Sequence, residues 1–324
     1  MRSSHALTLS LAAVSLSLAA STTAAAGLLL CQAHCTTAIA LPAGSRPFGI
    51  TRGPLGSIWF SFSADPTVAR IDPHGQLTAY RAPGPGGLGW VLADRGGVWF
   101  TELDADKIGR ITPTGTITEY PLPTMAAANG LVRGPDHNLY FTEQDGNAIG
   151  RLNPRNGATE EFAIPTPASE PLGLTVGADG ALWFVERTAG KVGRMTLDGA
   201  FTEYPLAPGA VPNRIVTGPD GAVWFTELRA NKLGRLTVDG QLSEYPIPGG
   251  PVGITVGNDR QLYLALFTGG GVDRVDLHGI ITGHWDLPGA VGVLQIAPGF
   301  GHDLWITDTF GDQLYHLTPY ATRD

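Results

Sequence analysis

The stretch AVWFTELRANKLGRL, Ala222 to Leu236, recurs in near copies along most of the chain and decides how the rest is read. Aligned on its aromatic residue, the copies place Trp59, Trp99, Tyr140, Trp183, Trp224, Tyr263 and Trp305 at spacings of 40, 41, 43, 41, 39 and 42 residues. Each of the seven units reads as four short strands: an apolar segment such as GITVG, then ALWFVE, then KVGRMT, then FTEYPL. Turn strings such as PDG and TLDG separate them. Apolar residues alternate with period two, and no helical period is sustained over a dozen residues, so the chain is all-β. Four strands repeated every 40 residues or so describe a propeller blade, which buries its apolar faces only against its neighbours. The reading is therefore a seven-bladed β-propeller of four-stranded blades.

The ends of the repeat predict how the ring closes. Thr37–Gly44, TAIALPAG, resembles the fourth-strand segment ITEYPLP, whereas the seventh unit stops after LYHLTPY with three strands. An N-terminal strand completing the last blade removes two exposed sheet edges. One propeller domain over residues 37–320 is expected, followed by a tail, 321–324.

Composition agrees. The 324 residues include 44 Gly and 25 Pro, and 43% are hydrophobic, enough for a large core. A formal charge of -8 disfavours a nucleic-acid surface, which needs clustered cations to replace phosphate counterions. Residues 1–26 read as a signal peptide: Arg2 precedes the apolar run Ala6–Ala20, and small residues end in Ala24-Ala25-Ala26. Export with cleavage near Ala26, no membrane span and a monomer are expected. In the short segment 27–36, CQAHC holds the only two cysteines, Cys31 and Cys35, and a local disulfide is the expected use of them. Two Cys and His34 leave a tetrahedral zinc short of ligands. Leu28-Leu29-Leu30 before Cys31 argues against a lipid anchor there.

Residues that recur in every copy belong to architecture, so function is sought where copies differ. The recurrent Arg70, Arg110, Arg151, Arg194, Arg235 and Arg274 are expected to form ion pairs within or between blades with Glu102, Glu143, Glu186 and Glu227, with Asp308, and with Glu119, Glu161, Glu203 and Glu244. His74, His137, His278 and His302 lie in turns. His316 takes the third-strand Arg position and His284 the fourth-strand Glu position. The chain contains no nucleophile elbow, HExxH or phosphate loop, and Gly269–Gly271 is a loop of a degenerate unit. The departures gathered where inner strands open are Phe48, Trp90, Asn129, Asn213 and Arg214, expected to line a ligand mouth at the propeller axis.

The strings GPDGAVWFTE, NKLGRLT and ITEYPLPT, in this order over about residues 45–318, resemble the virginiamycin B lyase (streptogramin B lyase) family. The resemblance implies a seven-bladed propeller and magnesium-assisted opening of a cyclic depsipeptide antibiotic by elimination at its ester. A base takes the proton alpha to a carbonyl while a metal ion steadies the developing enolate. In the family these groups come from a Pro-His-Gly segment opening an inner strand, a Glu two residues before that His, and a Glu just after a WFxx segment. Here the positions matched to the His are Phe48, Leu88, Asn129, Leu172, Asn213, Val252 and Val291. Two residues earlier stand Arg46, Gly86, Ala127, Glu170, Val211, Gly250 and Gly289, so Glu170 alone keeps an acid and is the candidate magnesium ligand. After the WFTE segments come Ser63, Leu103, Gln144, Arg187, Leu228, Phe267 and Thr309. The catalytic base is left unassigned. Three functions follow as expectations: the family's elimination reaction, an extracellular propeller binding a small cyclic peptide, another ligand or a protein, and a lactone or ester hydrolase.

Overall fold

A computed structural model describes residues 8–9, 35–94, 96–123 and 127–319. It is a ring of seven four-stranded antiparallel sheets. Blade 5 shows the pattern: Pro212–Thr217 innermost, then Val223–Glu227, Lys232–Leu236 and Leu242–Pro246. The other inner strands are Pro47–Arg52, Leu88–Asp94, Ala128–Arg133, Pro171–Val176, Pro251–Val256 and Val293–Pro298, opening blades 1, 2, 3, 4, 6 and 7. Ring closure is as expected: Cys35–Ala40 pairs with Gln313–Thr318 as the fourth strand of blade 7, starting two residues before Thr37. Thr8–Leu9 pairs with Ile117 and Thr118 at the outer edge of blade 2. The rest of the signal-peptide segment, Cys31 and the 321–324 tail lie outside the described residues. Among the described residues, no helix is long and apolar enough to cross a membrane.

The recurrent sentence becomes legible strand by strand. Successive residues of a strand face opposite sides of the sheet, so Trp and Phe of WF serve different neighbours. Trp183 of blade 4 packs with Ile215, Val223 and Phe225 of blade 5, so each Trp looks forward and each Phe looks back. Blade 7 meets blade 1 likewise, with Leu314 and Trp305 against Phe60 and Ile71. Across strands two and three, Trp224 lies opposite Arg235 and Phe225 opposite Gly234. A Cβ on Gly234 would stand 2.2 Å from the Phe225 ring, so the Gly of the xGR string is the slot into which the Phe folds. The Trp face takes the Arg: guanidinium carbons lie 5.7, 5.4, 5.8 and 5.7 Å from the rings of Trp59, Trp99, Trp183 and Trp224. His316 stacks on Trp305 in the same place.

The expected pairing of these Arg with the recurrent Glu is corrected. Arg194 and Arg235 bind the turn aspartates Asp179 and Asp220 at 2.7 and 2.8 Å, and those same aspartates receive the indole N–H of Trp183 and Trp224. The fourth-strand acids Glu119, Glu203 and Glu244 take the lysines Lys107, Lys191 and Lys232 at 2.6, 2.8 and 2.6 Å. Glu102, Glu143, Glu186 and Glu227 are at most 1% exposed, and among the described residues none of them forms a salt bridge. Burial, together with the neighbouring fourth-strand carboxyl of the same blade, pushes each up to about 7.

Candidate functional site at the propeller mouth

Inner strands open at the end of each blade where the second strand finishes, and strand register fixes which residues share a level around the axis. The pairs Pro47 with Phe62, Leu88 with Glu102, Pro212 with Glu227 and Val293 with Asp308 are equivalent. Two of the sequence-based matches therefore shift: the residues level with Phe48, Asn129, Leu172, Asn213 and Val252 are Gly89 in blade 2, not Leu88, and Leu294 in blade 7, not Val291. Two residues earlier the corresponding corrections are Gly87 for Gly86 and Gly292 for Gly289. The local chain is longer by one and three residues in these blades, which the eye cannot place without the pairing. No histidine enters the column.

The next column inward is the informative one. Its backbone N–H groups donate to hydroxyls of the second strand: Gly49 to Ser61, Trp90 to Thr101, Gly130 to Thr142, Arg214 to Thr226 and Gln295 to Thr307. Ser61, Thr142, Thr226 and Thr307 pass the bond on to the inner-strand carbonyls of Gly89, Leu172, Val252 and Phe48 in the following blade, stitching the ring at the axis. Glycine fills the column in blades 1, 3, 4 and 6, where a Cβ would press on the neighbouring inner strand; on Gly173 it would lie 2.9 Å from the Cα of Arg214. Blades 2, 5 and 7 carry Trp90, Arg214 and Gln295 instead.

These exceptions converge. The Arg214 guanidinium carbon lies 5.0 Å from the Trp90 ring centre and 5.7 Å from that of Phe48, and the residue is 5% exposed. With its amide oxygen turned toward the guanidinium, Gln295 accepts from Nη2 at 2.8 Å and Nε at 2.5 Å. The Asn213 carbonyl accepts from Nη1 at 3.3 Å. Burial, and then repulsion from Arg187, pushes the guanidinium down to about 9. Phe48, Trp90 and Asn213 thus come together around Arg214. Gln295 was missed, although its signal, a break in the glycine column, was present.

Asn129 belongs to a second cluster. Its Nδ2 donates to the Gln144 side-chain oxygen at 3.4 Å, and Gln144 Nε2 donates to Glu170 Oε1 at 3.0 Å. Glu170, in left-handed backbone at φ 56°, also forms an ion pair with Arg187 and accepts from the Thr188 hydroxyl. Glu170, Leu172 and Arg187 are blade 4's members of the three columns, one set in each of the seven blades, to which the family's groups were matched, and Glu170 alone keeps an acid two residues before the histidine column. A guanidinium fills the space beside Glu170, and no group of three or more Asp, Glu, His or Cys able to hold a metal ion occurs among the described residues. One carboxylate already committed to an arginine does not fit a hard dication, which binds through several oxygens. On the far arc the lining turns apolar: Phe267 meets Phe310 edge to face at 6.2 Å, with Val291 66% exposed beside them.

Comparison with known proteins places the chain in a family. Residues 18–208 and 131–322 match the Virginiamycin B lyase family. The chain is 32% identical to the selenomethionine-substituted virginiamycin B lyase from Staphylococcus aureus, covering 88% of this chain and 99% of that one with a TM-score of 0.83. The same values hold for a catalytically inactive histidine-to-alanine form of that enzyme with quinupristin. A virginiamycin B lyase from Nocardia farcinica is 47% identical over 51 residues, 16% of this chain and 18% of that relative. Hydrazine synthase of Kuenenia stuttgartiensis shares the fold at 14% identity and a TM-score of 0.73. With both family matches and full-length similarity resting on the same seven blades, this chain belongs to the virginiamycin B lyase family.

Proposed function

We propose that this chain is an exported propeller that holds a small peptide-like ligand at its mouth and does not carry out the family's elimination. The observation behind this reading is that no blade carries a histidine at the matched inner-strand level, while Glu170, the one acid two residues before that level, is ion-paired with Arg187. Elimination alpha to a carbonyl needs a base with a pKa near working pH and a cation that can accept an enolate oxygen. Phe48, Gly89, Asn129, Leu172, Asn213, Val252 and Leu294 supply no base, and Arg187 already donates to Glu170. What remains is a rim with polar residues in blades 3 and 4, Asn129, Gln144, Glu170 and Arg187, and apolar residues in blades 6 and 7, Phe267 and Phe310. Such a rim suits binding.

Several groups support the reading by what they can do. Asn129 and Gln144 offer amide donors and acceptors of the kind that pair with peptide bonds. Phe48 and Trp90 offer flat apolar area beside the axis. The test is calorimetric: a streptogramin B type cyclic depsipeptide, and separately its ring-opened acid, is titrated into the chain with and without magnesium. Saturable heat that ends when sites are full and is unchanged by magnesium is expected for at least one of the two. Sustained heat that depends on magnesium rejects the proposal.

A further inference from the structure

Arg214 is a buried cation whose hydrogen-bond partners are two neutral oxygens, those of Gln295 and Asn213. Glu170, an acid of the neighbouring blade 4, is held by Arg187, Gln144 and Thr188. Taking a guanidinium out of water is costly unless an anion or aromatic faces compensate it. Aromatic faces are present in Phe48 and Trp90, but the hydrogen-bonding edge is occupied only by an amide. That edge, Nε with Nη2, is the fork that matches a carboxylate with two parallel bonds. Gln295 places one neutral oxygen across both donors, where a carboxylate offers two charged ones.

The charges around it point the same way. Arg187 adds positive potential to the mouth and Glu170 cancels no more than one of the two guanidinium charges. The flat rings of Phe48 and Trp90 beside the guanidinium suit the carbon body of an organic ligand rather than a bare inorganic ion. We propose that Arg214 anchors the carboxylate of a small organic acid, which displaces the Gln295 amide from the guanidinium fork while its apolar part lies along Phe48 and Trp90. This names the ligand class for the binding mouth and rests on that reading.

The test uses calorimetric titration of the purified chain with N-acetyl-L-phenylalanine, with its neutral amide, and with inorganic phosphate and sulfate. The acid is expected to bind at least about tenfold more tightly than the amide, the difference made by a charge-assisted bidentate pair. Phosphate and sulfate are expected to bind more weakly than the acid. Arg214→Gln should bring acid and amide to within about twofold of each other, with a melt by circular dichroism showing that the ring is intact. Should that variant not fold, Gln295→Glu supplies the second arm. It tethers a carboxylate to the fork and should weaken binding of the acid by at least about tenfold.

Equal binding of acid and amide by the native chain, no binding of the acid, or an acid preference that survives both substitutions overturns the proposal. Phosphate binding as tight as the acid overturns the organic-acid class. Equal but saturable binding of acid and amide removes the Arg214 anchor and leaves the binding mouth standing. Turnover of a cyclic depsipeptide removes the binding reading itself, so the two failures are told apart.

Discussion

Glu227 ends the second strand of blade 5, fully buried, beside Glu244 and Lys232, with no salt bridge of its own among the described residues. Glu102, Glu143 and Glu186 repeat the situation. Each is pushed up from 4.5 to about 7, so the folded state favours the protonated form. The stabilising contribution is fully present below the unfolded pKa and is lost as pH rises through about 7. His284, held by Asp273 at 2.6 Å, is raised as well and changes stability with the same sign. Stability is therefore expected to rise as pH falls from 7.5 to 5.5, by on the order of 1 kcal/mol per glutamate, and the melting temperature with it. Scanning calorimetry across that range checks it, and a flat or falling profile contradicts it. The neutral isostere Glu227→Gln should raise stability at pH 7.5 by about 1 kcal/mol and lose that advantage by pH 5. The repeated acids were visible in the sequence. That the lysines beside them pair instead with the fourth-strand acids was not, because pairing across strands two, three and four depends on register, which charge alone does not set.

The second and third strands of each blade form the element that the recurrent sentence specifies, and their pairing explains its wording. Trp224 receives Arg235, Phe225 lies over Gly234, and Glu227 stands opposite Lys232. The same close approach recurs at Gly109, Gly150 and Gly193, where a Cβ would come within 2.1 to 2.2 Å of Phe100, Phe141 and Phe184. Gly234→Ala is accordingly expected to cost about 2–3 kcal/mol by overpacking, measured by denaturant melts, with no effect from surface changes such as Asp239→Asn. A cost below about 0.5 kcal/mol would contradict the slot. Much of this element was legible: seven copies, four strands each, and the turns between them follow from spacing, period-two alternation and turn chemistry. The mouth was legible only in part. Phe48, Trp90, Asn213 and Arg214 stood out as departures from the repeat, but their meeting across the axis required ring closure. Gln295 and the level of Gly89 and Leu294 required knowing where each inner strand bulges.

At the scale of the whole molecule, one hydrogen-bonded strand closes the circle. Cys35–Ala40 pairs along Gln313–Thr318, and Leu41 donates its N–H to Asp312 at 2.9 Å. Asp312 in turn accepts the N–H groups of Gly44 and Arg46 at 2.6 and 2.8 Å, fastening the start of blade 1 to the end of blade 7. Removing the closing strand exposes an edge and unties that latch, so a chain begun at Pro42 should melt at least several degrees lower and aggregate more readily. An unchanged melt would show that closure contributes little. The ring is shared with virginiamycin B lyase from Staphylococcus aureus, 32% identical over 88% of this chain, but none of this chain's seven blades carries a histidine at the matched inner-strand level. The most direct measurement is to incubate the chain with a streptogramin B type cyclic depsipeptide and magnesium, and to follow mass and ultraviolet absorbance. The account predicts an intact ring of unchanged absorbance. A ring-opened isomer of the same mass with a new conjugated double bond would contradict it.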